Sequence, residues 1–412
     1  MKNIYALFQQ QGGMLCLLMA IFLLPLQQLR AQDYWEEIAQ LPLATNLASV
    51  EALGNSIYVM GGGFSASQAT SEVYAFNPAT KDLQLRSPLP KALLATATTV
   101  LNGKIYLFGG VQYNLGSASK SSYVYDPVTN AWTSLPDIPI AVGYAVAEAI
   151  NGKIYLIGGF GSGGAPVYNL TQEYDPQTNL WQTKAPMLTA RGYMCAAVFD
   201  NRIYVLGGGI PSTNTSLDAV EIYDPTSNSW ATGSSLLSPR LGAAAGVLGN
   251  TIFVAGGANS YLPSPDLNVT DGYSPELGWQ SFATLPFAVH GHAITAFEDN
   301  LYAFGGSSNG VGVKAILKYH PESVGTYNPL INNGLTVSPN PANERVIFLF
   351  ENAVSGQMTL FGPDGAIVNT ANLYDQIQHE FSVAALPTGG YFWKWMGEKD
   401  GKIRSGRILV LR

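Results

Sequence analysis

Asn151–Gln182, NGKIYLIGGFGSGGAPVYNLTQEYDPQTNLWQ, is the stretch that decides the fold. It opens on the pair Asn151-Gly152, runs through KIYLI into Gly158-Gly159, reaches Tyr174-Asp175-Pro176 and arrives at Trp181. An Asn-Gly pair tolerates positive φ and closes a two-residue hairpin. Tyr and β-branched residues at alternate places read as a strand, and Tyr-Asp-Pro is a tight turn that ends another. The pattern recurs. Gly doublets begin at Gly61, Gly109, Gly158, Gly207, Gly256 and Gly305, with spacings of 48, 49, 49, 49 and 49. Before them stand SIYVM, KIYLF, KIYLI, RIYVL, TIFVA and LYAF, each after a turn pair, from Gly54-Asn55 to Asp299-Asn300. Upstream of each turn lies a small, apolar stretch such as YAVAEAI or GAAAGVL. Trp132, Trp181, Trp230 and Trp279 each fall 23 residues after their doublet, and Leu83 takes that place in the first repeat.

Four antiparallel strands recurring six times predict an all-β chain built as a six-bladed β-propeller. Each blade Trp precedes the next doublet by 26 residues, and Trp35 precedes Gly61 by the same 26. The sixth repeat has Asn328 where its own Trp should be. Tyr34-Trp35-Glu36 is therefore expected to supply the outer strand of the last blade, an N-terminal strand that closes the ring and removes a raw edge. The set of Gly-Gly, Tyr-Asp-Pro and Trp resembles the kelch repeat over about residues 34–325. The resemblance implies four-stranded blades, with glycine permitting close approach and Tyr and Trp filling the outer interface.

The flanks differ in kind. Residues 14–26, MLCLLMAIFLLPL, are too short to cross a bilayer. With Lys2 before them and Leu29-Arg30-Ala31 after, residues 1–31 read as a secretory signal peptide. Cys195 is then the one cysteine of the mature chain, which rules out an internal disulfide. The propeller is assigned to residues 33–325, a turn-rich linker to 326–334 and a small C-terminal β-sandwich to 335–412. In that last unit Ser338-Pro339-Asn340-Pro341-Ala342, Asp364-Gly365 and Leu386-Pro387-Thr388-Gly389-Gly390-Tyr391-Phe392 stand in the order seen in C-terminal sorting domains of Bacteroidota type IX secretion, which the segment resembles. It departs at Ile408–Arg412, where a Lys is common in that family. The resemblance implies passage through the periplasm and outer membrane, with the type IX machinery as partner, and a secreted or cell-surface location.

Charged residues are only 12% of the 412, about half the usual share. Net charge is −7 with 21 Lys and Arg and no basic run, which argues against nucleic acid as a partner. No further segment of the mature protein is apolar enough to span a membrane. The long, variable loops join the second and third strands of each repeat, so function is expected on the face they share with the connections between repeats. Sixteen residues before the doublets lie Thr45, Leu93, Val142, Arg191, Arg240 and Val289. Kelch repeats often carry Arg there, and guanidinium forks suit carboxylates and sulfates. Arg191, Arg240, Tyr193 and His290 are the ligand-binding candidates. His290 and His292 could share a face and a metal, but His292 fills a packing position of the kelch repeat and no acidic set completes a site. No metal or cofactor is therefore expected. Gly159–Gly164 fits G-x-G-x-x-G without a following helix, and Asp266–Gly272 misses the EF-hand spacing. No catalytic motif appears. The expected role is a binding module for a glycan or protein; the alternative is a sugar-modifying enzyme, since some kelch propellers are sialic-acid mutarotases.

Overall fold

The computed structural model describes residues 33–63, 69–112, 116–261, 265–321, 335–338, 345–361, 367–387, 389–397 and 403–410. The signal peptide, the 326–334 linker, Pro339–Ala342 and Asp364-Gly365 lie outside the described residues. The chain divides into two compact units, Met1–Pro321 and Glu322–Arg412. Among the described residues no helix is long and apolar enough to cross a membrane.

The first unit is a run of six antiparallel four-stranded sheets. The third is typical: Val146–Ile150, Lys153–Ile157, Thr171–Asp175 and Leu180–Thr183 follow one another through short turns. Its second strand is buried from Ile154 to Ile157 because sheets pack on both of its faces. The first strands of the six sheets stand side by side, and Ala293–Phe297 of the last stands beside Ser49–Leu53 of the first. In the sixth sheet the turn is Glu298-Asp299, one residue earlier than the expected Asp299-Asn300, and Glu298 takes the positive φ of 50°.

The Gly doublets are the seams. The second glycine donates its N–H to the carbonyl at the entrance of the next sheet, as in Gly159 N to Arg191 O at 2.9 Å and Gly208 N to Arg240 O at 2.9 Å. Gly306 N closes the circle onto Thr45 O at 2.7 Å. The first glycine holds a φ near +60°, and a Cβ on Gly158 would sit 2.7 Å from the Arg191 carbonyl. A side chain would force adjacent sheets apart, so the doublet is a requirement of spacing as well as of turn geometry.

Tyr34–Gln40 pairs antiparallel with Ala315–His320 as the outer strand of the sixth sheet. Trp35 faces Tyr319 across the ladder, as Trp132 faces Tyr125 and Trp181 faces Tyr174. In the second and fourth sheets the residue two before the Trp is an anchor. Asn130 Oδ1 accepts from Tyr125 OH and Ser87 N, and Asn228 Oδ1 accepts from Tyr223 OH and Ala185 N. Asp33, two before Trp35, repeats this, accepting from Tyr319 OH at 2.7 Å and Ala283 N at 2.6 Å. The N-terminal strand thus reproduces the anchor as well as the aromatic of a sequential fourth strand.

The described residues of the second unit form one five-stranded sheet of Leu335–Ser338, Arg345–Phe361, Ile367–Ser382, Gly389–Gly397 and Ile403–Val410. The long second strand loses register between Leu349 and Gly356. Val346, Phe348 and Phe350 before that break share one core with Met358 and Leu360 after it. The irregularity bends one hydrogen-bonded sheet around a single core, where the sequence reading has two sheets.

Candidate functional site

Arg191 and Arg240 do not reach the mouth. They are 0% and 1% exposed, and the equivalent Thr45, Leu93, Val142 and Val289 are buried as well. The position offers its carbonyl to a glycine seam and turns its side chain inward. Arg191 Nη1 pairs with Glu221 Oε1 and also donates to Thr189 O at 3.2 Å. The Glu221 carboxylate accepts from Leu188 N at 2.7 Å and Thr189 N at 3.1 Å. Arg240 pairs with Asp271, which also accepts from Ser281 Oγ at 3.3 Å. Burial pulls the Arg191 pKa down and Glu221 pulls it back up. Both guanidinium charges are thus neutralised within their own sheets, which corrects the expectation that they recognise an anionic ligand. An acid stands opposite only where Arg stands: the positions equivalent to Glu221 and Asp271 are Tyr74, Tyr123, Gln172 and Leu317. Aligning the repeats on both positions would have revealed the pairing.

Tyr193 and His290 do meet, with ring centroids 6.4 Å apart. Tyr193 belongs to a backbone ring. Leu47 N donates to Gly291 O, Ala95 N to Leu47 O, Tyr144 N to Ala95 O, Tyr193 N to Tyr144 O, Gly242 N to Tyr193 O and Gly291 N to Gly242 O, all at 2.8–3.0 Å. All six residues hold φ between 50° and 63°. A left-handed conformation at Leu47, Ala95, Tyr144 and Tyr193 is strained, and such strain persists where surrounding structure over-determines it. The circle of bonds does that here. Three arcs result: Leu47 and Ala95 are aliphatic, Tyr144 and Tyr193 carry rings, and Gly242 and Gly291 carry nothing. Tyr193 leans across the bare arc, since a Cβ on Gly291 would lie 2.9 Å from its hydroxyl.

The variable loops add to the tyrosines. Tyr144 contacts Tyr193 at 5.1 Å and Phe160 at 5.6 Å, and Tyr261 lies 6.5 Å from both Phe160 and Tyr193. Burial, then the neighbouring tyrosines and Asp266, holds the Tyr193 hydroxyl protonated. His290 Nδ1 lies 2.6 Å from Asp266 Oδ1, and Asn309 N donates to Asp266 Oδ2 at 2.7 Å. The His290 side chain is 16% exposed and Asp266 only 1%. His292 diverges from it: the Cε1 of its ring would lie 2.6 Å from a Cβ on Gly256, and burial lowers its pKa to about 3. The two histidines therefore cannot share a metal, and among the described residues no three His, Cys, Asp or Glu side chains gather. Tyr261 and Asp266 could not be placed at the mouth from sequence because their loops vary in length between repeats; Tyr144 stands at the place of Tyr193 one repeat earlier, and Phe160 directly follows its doublet, where no other repeat has an aromatic.

A channel of about 350 Å³ runs along the first strands. Its lining is dominated by Ala, Val and Thr, with Glu51 and Glu148 as its carboxylates. Burial raises Glu51 to about 7 against a hydrogen bond from Thr98 Oγ1 of 2.8 Å. Burial and then the charge of Glu51 raise Glu148 to about 8. The sequence signal was there unread: both stand ten residues before their doublet, where the other repeats have Thr, Ala, Gly and Thr.

Seams, closing strand and mouth define a kelch propeller. A family profile described as the KLHDC2/KLHL20/DRC7 Kelch-repeats domain matches residues 46–257, and the chain belongs to that family. Kelch-like protein 33 of Homo sapiens is 34% identical over 80 residues, 19% of this chain and 15% of that protein. Kelch-like protein 35 of Mus musculus is 33% identical over 78 residues, 19% of this chain and 14% of that protein. The chain thus spans about a seventh of the length of the curated relatives it matches. A solved structure titled "Structure of YjhT" superposes with a TM-score of 0.60 at 16% identity, over 67% of this chain and 95% of that one. That likeness is one of fold.

Proposed function

We propose that this protein is an exported six-bladed kelch propeller that binds a glycan or a protein through its aromatic mouth. The observation that carries the reading is the convergence of Tyr144, Phe160, Tyr193, Tyr261 and His290 from both loop sets at one end of the channel. Aromatic faces with hydroxyl tips supply contact area at low entropic cost, and a ligand covering them needs no catalytic group. A glycan array probed with the protein lacking residues 1–31 tests the reading. Binding to a defined glycan, lost in Tyr193→Ala, is the expected result. If Tyr193→Ala leaves an observed binding profile unchanged, the mouth is not the site.

Export rests on residues 1–31 and on the sorting-domain resemblance of 335–412. Deleting 335–412 in a type IX-competent host should leave a folded propeller in the periplasm; its appearance in the medium would refute the sorting role. The enzyme reading is favoured by one observation. Glu51 and Glu148, at about 7 and 8, sit where acid–base catalysis works best near neutral pH. Mutarotation of sugar anomers followed by NMR separates the two readings: acceleration that Glu148→Gln abolishes would make the protein an enzyme.

A further inference from the structure

Within the backbone ring lies a pocket of about 110 Å³, lined by Leu47, Ala95, Tyr144, Tyr193, Gly242 and Gly291 with the residues that follow them. It is about a third of the smallest typical small-molecule site, near 300 Å³. A sugar ring cannot enter it; a head group of a few heavy atoms can. The chemistry of its walls is one-sided. Tyr144 and Tyr193 line it with aromatic rings, whose faces attract positive charge. Each ring carbonyl accepts one ring bond and keeps a second lone pair. Leu47 and Ala95 offer aliphatic contact. The adjoining channel carries Glu51 and Glu148, and Asp266 lies behind His290. Among the described residues no lysine or arginine lines either cavity, and the arginines expected there are spent on Glu221 and Asp271. The ring carbonyls and tyrosine rings present partial negative charge to a head group, and Glu51, at about 7, is about half ionised at neutral pH.

We propose that the ring pocket takes an alkylated ammonium head group, with the rest of the ligand lying over the aromatic loops. An alkylated ammonium is weakly hydrated and presents methyl groups, so it satisfies the aliphatic and the aromatic walls together. An unalkylated ammonium would forfeit more hydration, and a metal ion lacks a ligand set among the described residues. The inference rests on the mouth being the binding site.

The test titrates the full mature chain with choline, with its uncharged carbon isostere 3,3-dimethyl-1-butanol, and with a neutral methyl glucoside, reading calorimetric heat. Saturable choline binding, at least tenfold tighter than the isostere, is expected. Tyr193→Phe, which keeps the π face, should retain it, and Tyr193→Leu, with an unchanged melting temperature, should lose it. Equal binding of choline and isostere would show a merely apolar pocket and overturn the proposal. Failure of choline, alongside glycan binding that still depends on Tyr193, would refute the head group and leave the mouth as the site. Failure of choline, with glycan binding indifferent to Tyr193, would remove both.

Discussion

The paired charges inside the fourth and fifth sheets are buried and the lone carboxylates of the channel half-buried, and the two obey different rules. Arg191–Glu221 and Arg240–Asp271 are cation and anion in contact, with backbone N–H or hydroxyl donors completing the carboxylates. Glu51 has one hydroxyl donor, and Glu148 raises its own pKa by burial and by facing Glu51. A pair keeps its charge in a low dielectric; a lone acid takes up a proton instead. The first arrangement builds the sheet. The second leaves a group whose charge is free to change near neutral pH.

Breaking a pair should have the largest effect. Arg191→Ala leaves Glu221 buried without its cation, at about 3–5 kcal/mol, out of a typical 5–15 kcal/mol of total stability. Replacing both partners at once, Arg191→Met with Glu221→Leu, should cost far less because no charge is stranded. Denaturant melts of the two variants check this. If the double variant is as unstable as the single one, the pair contributes more than mutual neutralisation.

Next in size is the closing strand. Trp35 is 7% exposed and its Nε1 donates to Thr270 Oγ1 at 3.2 Å, whereas Trp132 is only half-buried. Trp35→Ala should cost about 3 kcal/mol, near the low end for a buried Trp, and more than Trp132→Ala. An equal melting temperature for Trp35→Ala and the parent would place the strand outside the ring.

The channel acids should show themselves through pH. Unfolded, Glu148 ionises near 4.5; folded, near 8. The unfolded state therefore gives up its proton first, and stability falls as pH rises from about 4.5 to about 8, by up to about 1.4 kcal/mol per pH unit. Glu148→Gln should flatten that slope, and Glu51→Gln should flatten the part below about 7. Melting temperatures from pH 4 to 9 decide it; a slope unchanged in both variants would mean the carboxylates reach bulk water.

What the sequence made legible follows the same division. The doublets, the Tyr-Asp-Pro turns and Trp35 could be read because each is imposed by the geometry of one repeat and recurs with it. The arginines were misplaced because their partners lie 30 and 31 residues onward, on the third strand of the same sheet, and a repeat read by its motifs alone does not show two strands facing. The aromatic mouth was half legible. Tyr193 and His290 sit at fixed distances from a doublet, and so does Phe160, though no other repeat has an aromatic at its place; Tyr261 and Asp266 belong to loops whose lengths differ, and only folding brings them together.

The smallest effect should be at Cys195, which lies on the channel wall near the carboxylates yet is neutral. Burial pushes its thiol up to about 12. Less than about one thiol in ten thousand is then ionised at neutral pH, and thiolate is the species that alkylates. Cys195 is 7% exposed, and the Leu206 carbonyl lies 3.7 Å from its sulfur. Native protein should therefore resist iodoacetamide for hours and label at once in urea, and Cys195→Ala should leave the pH profile of Glu148 unmoved. Rapid labelling of the folded chain would show the channel open to solvent at that height, and the raised acids would then need a cause other than burial.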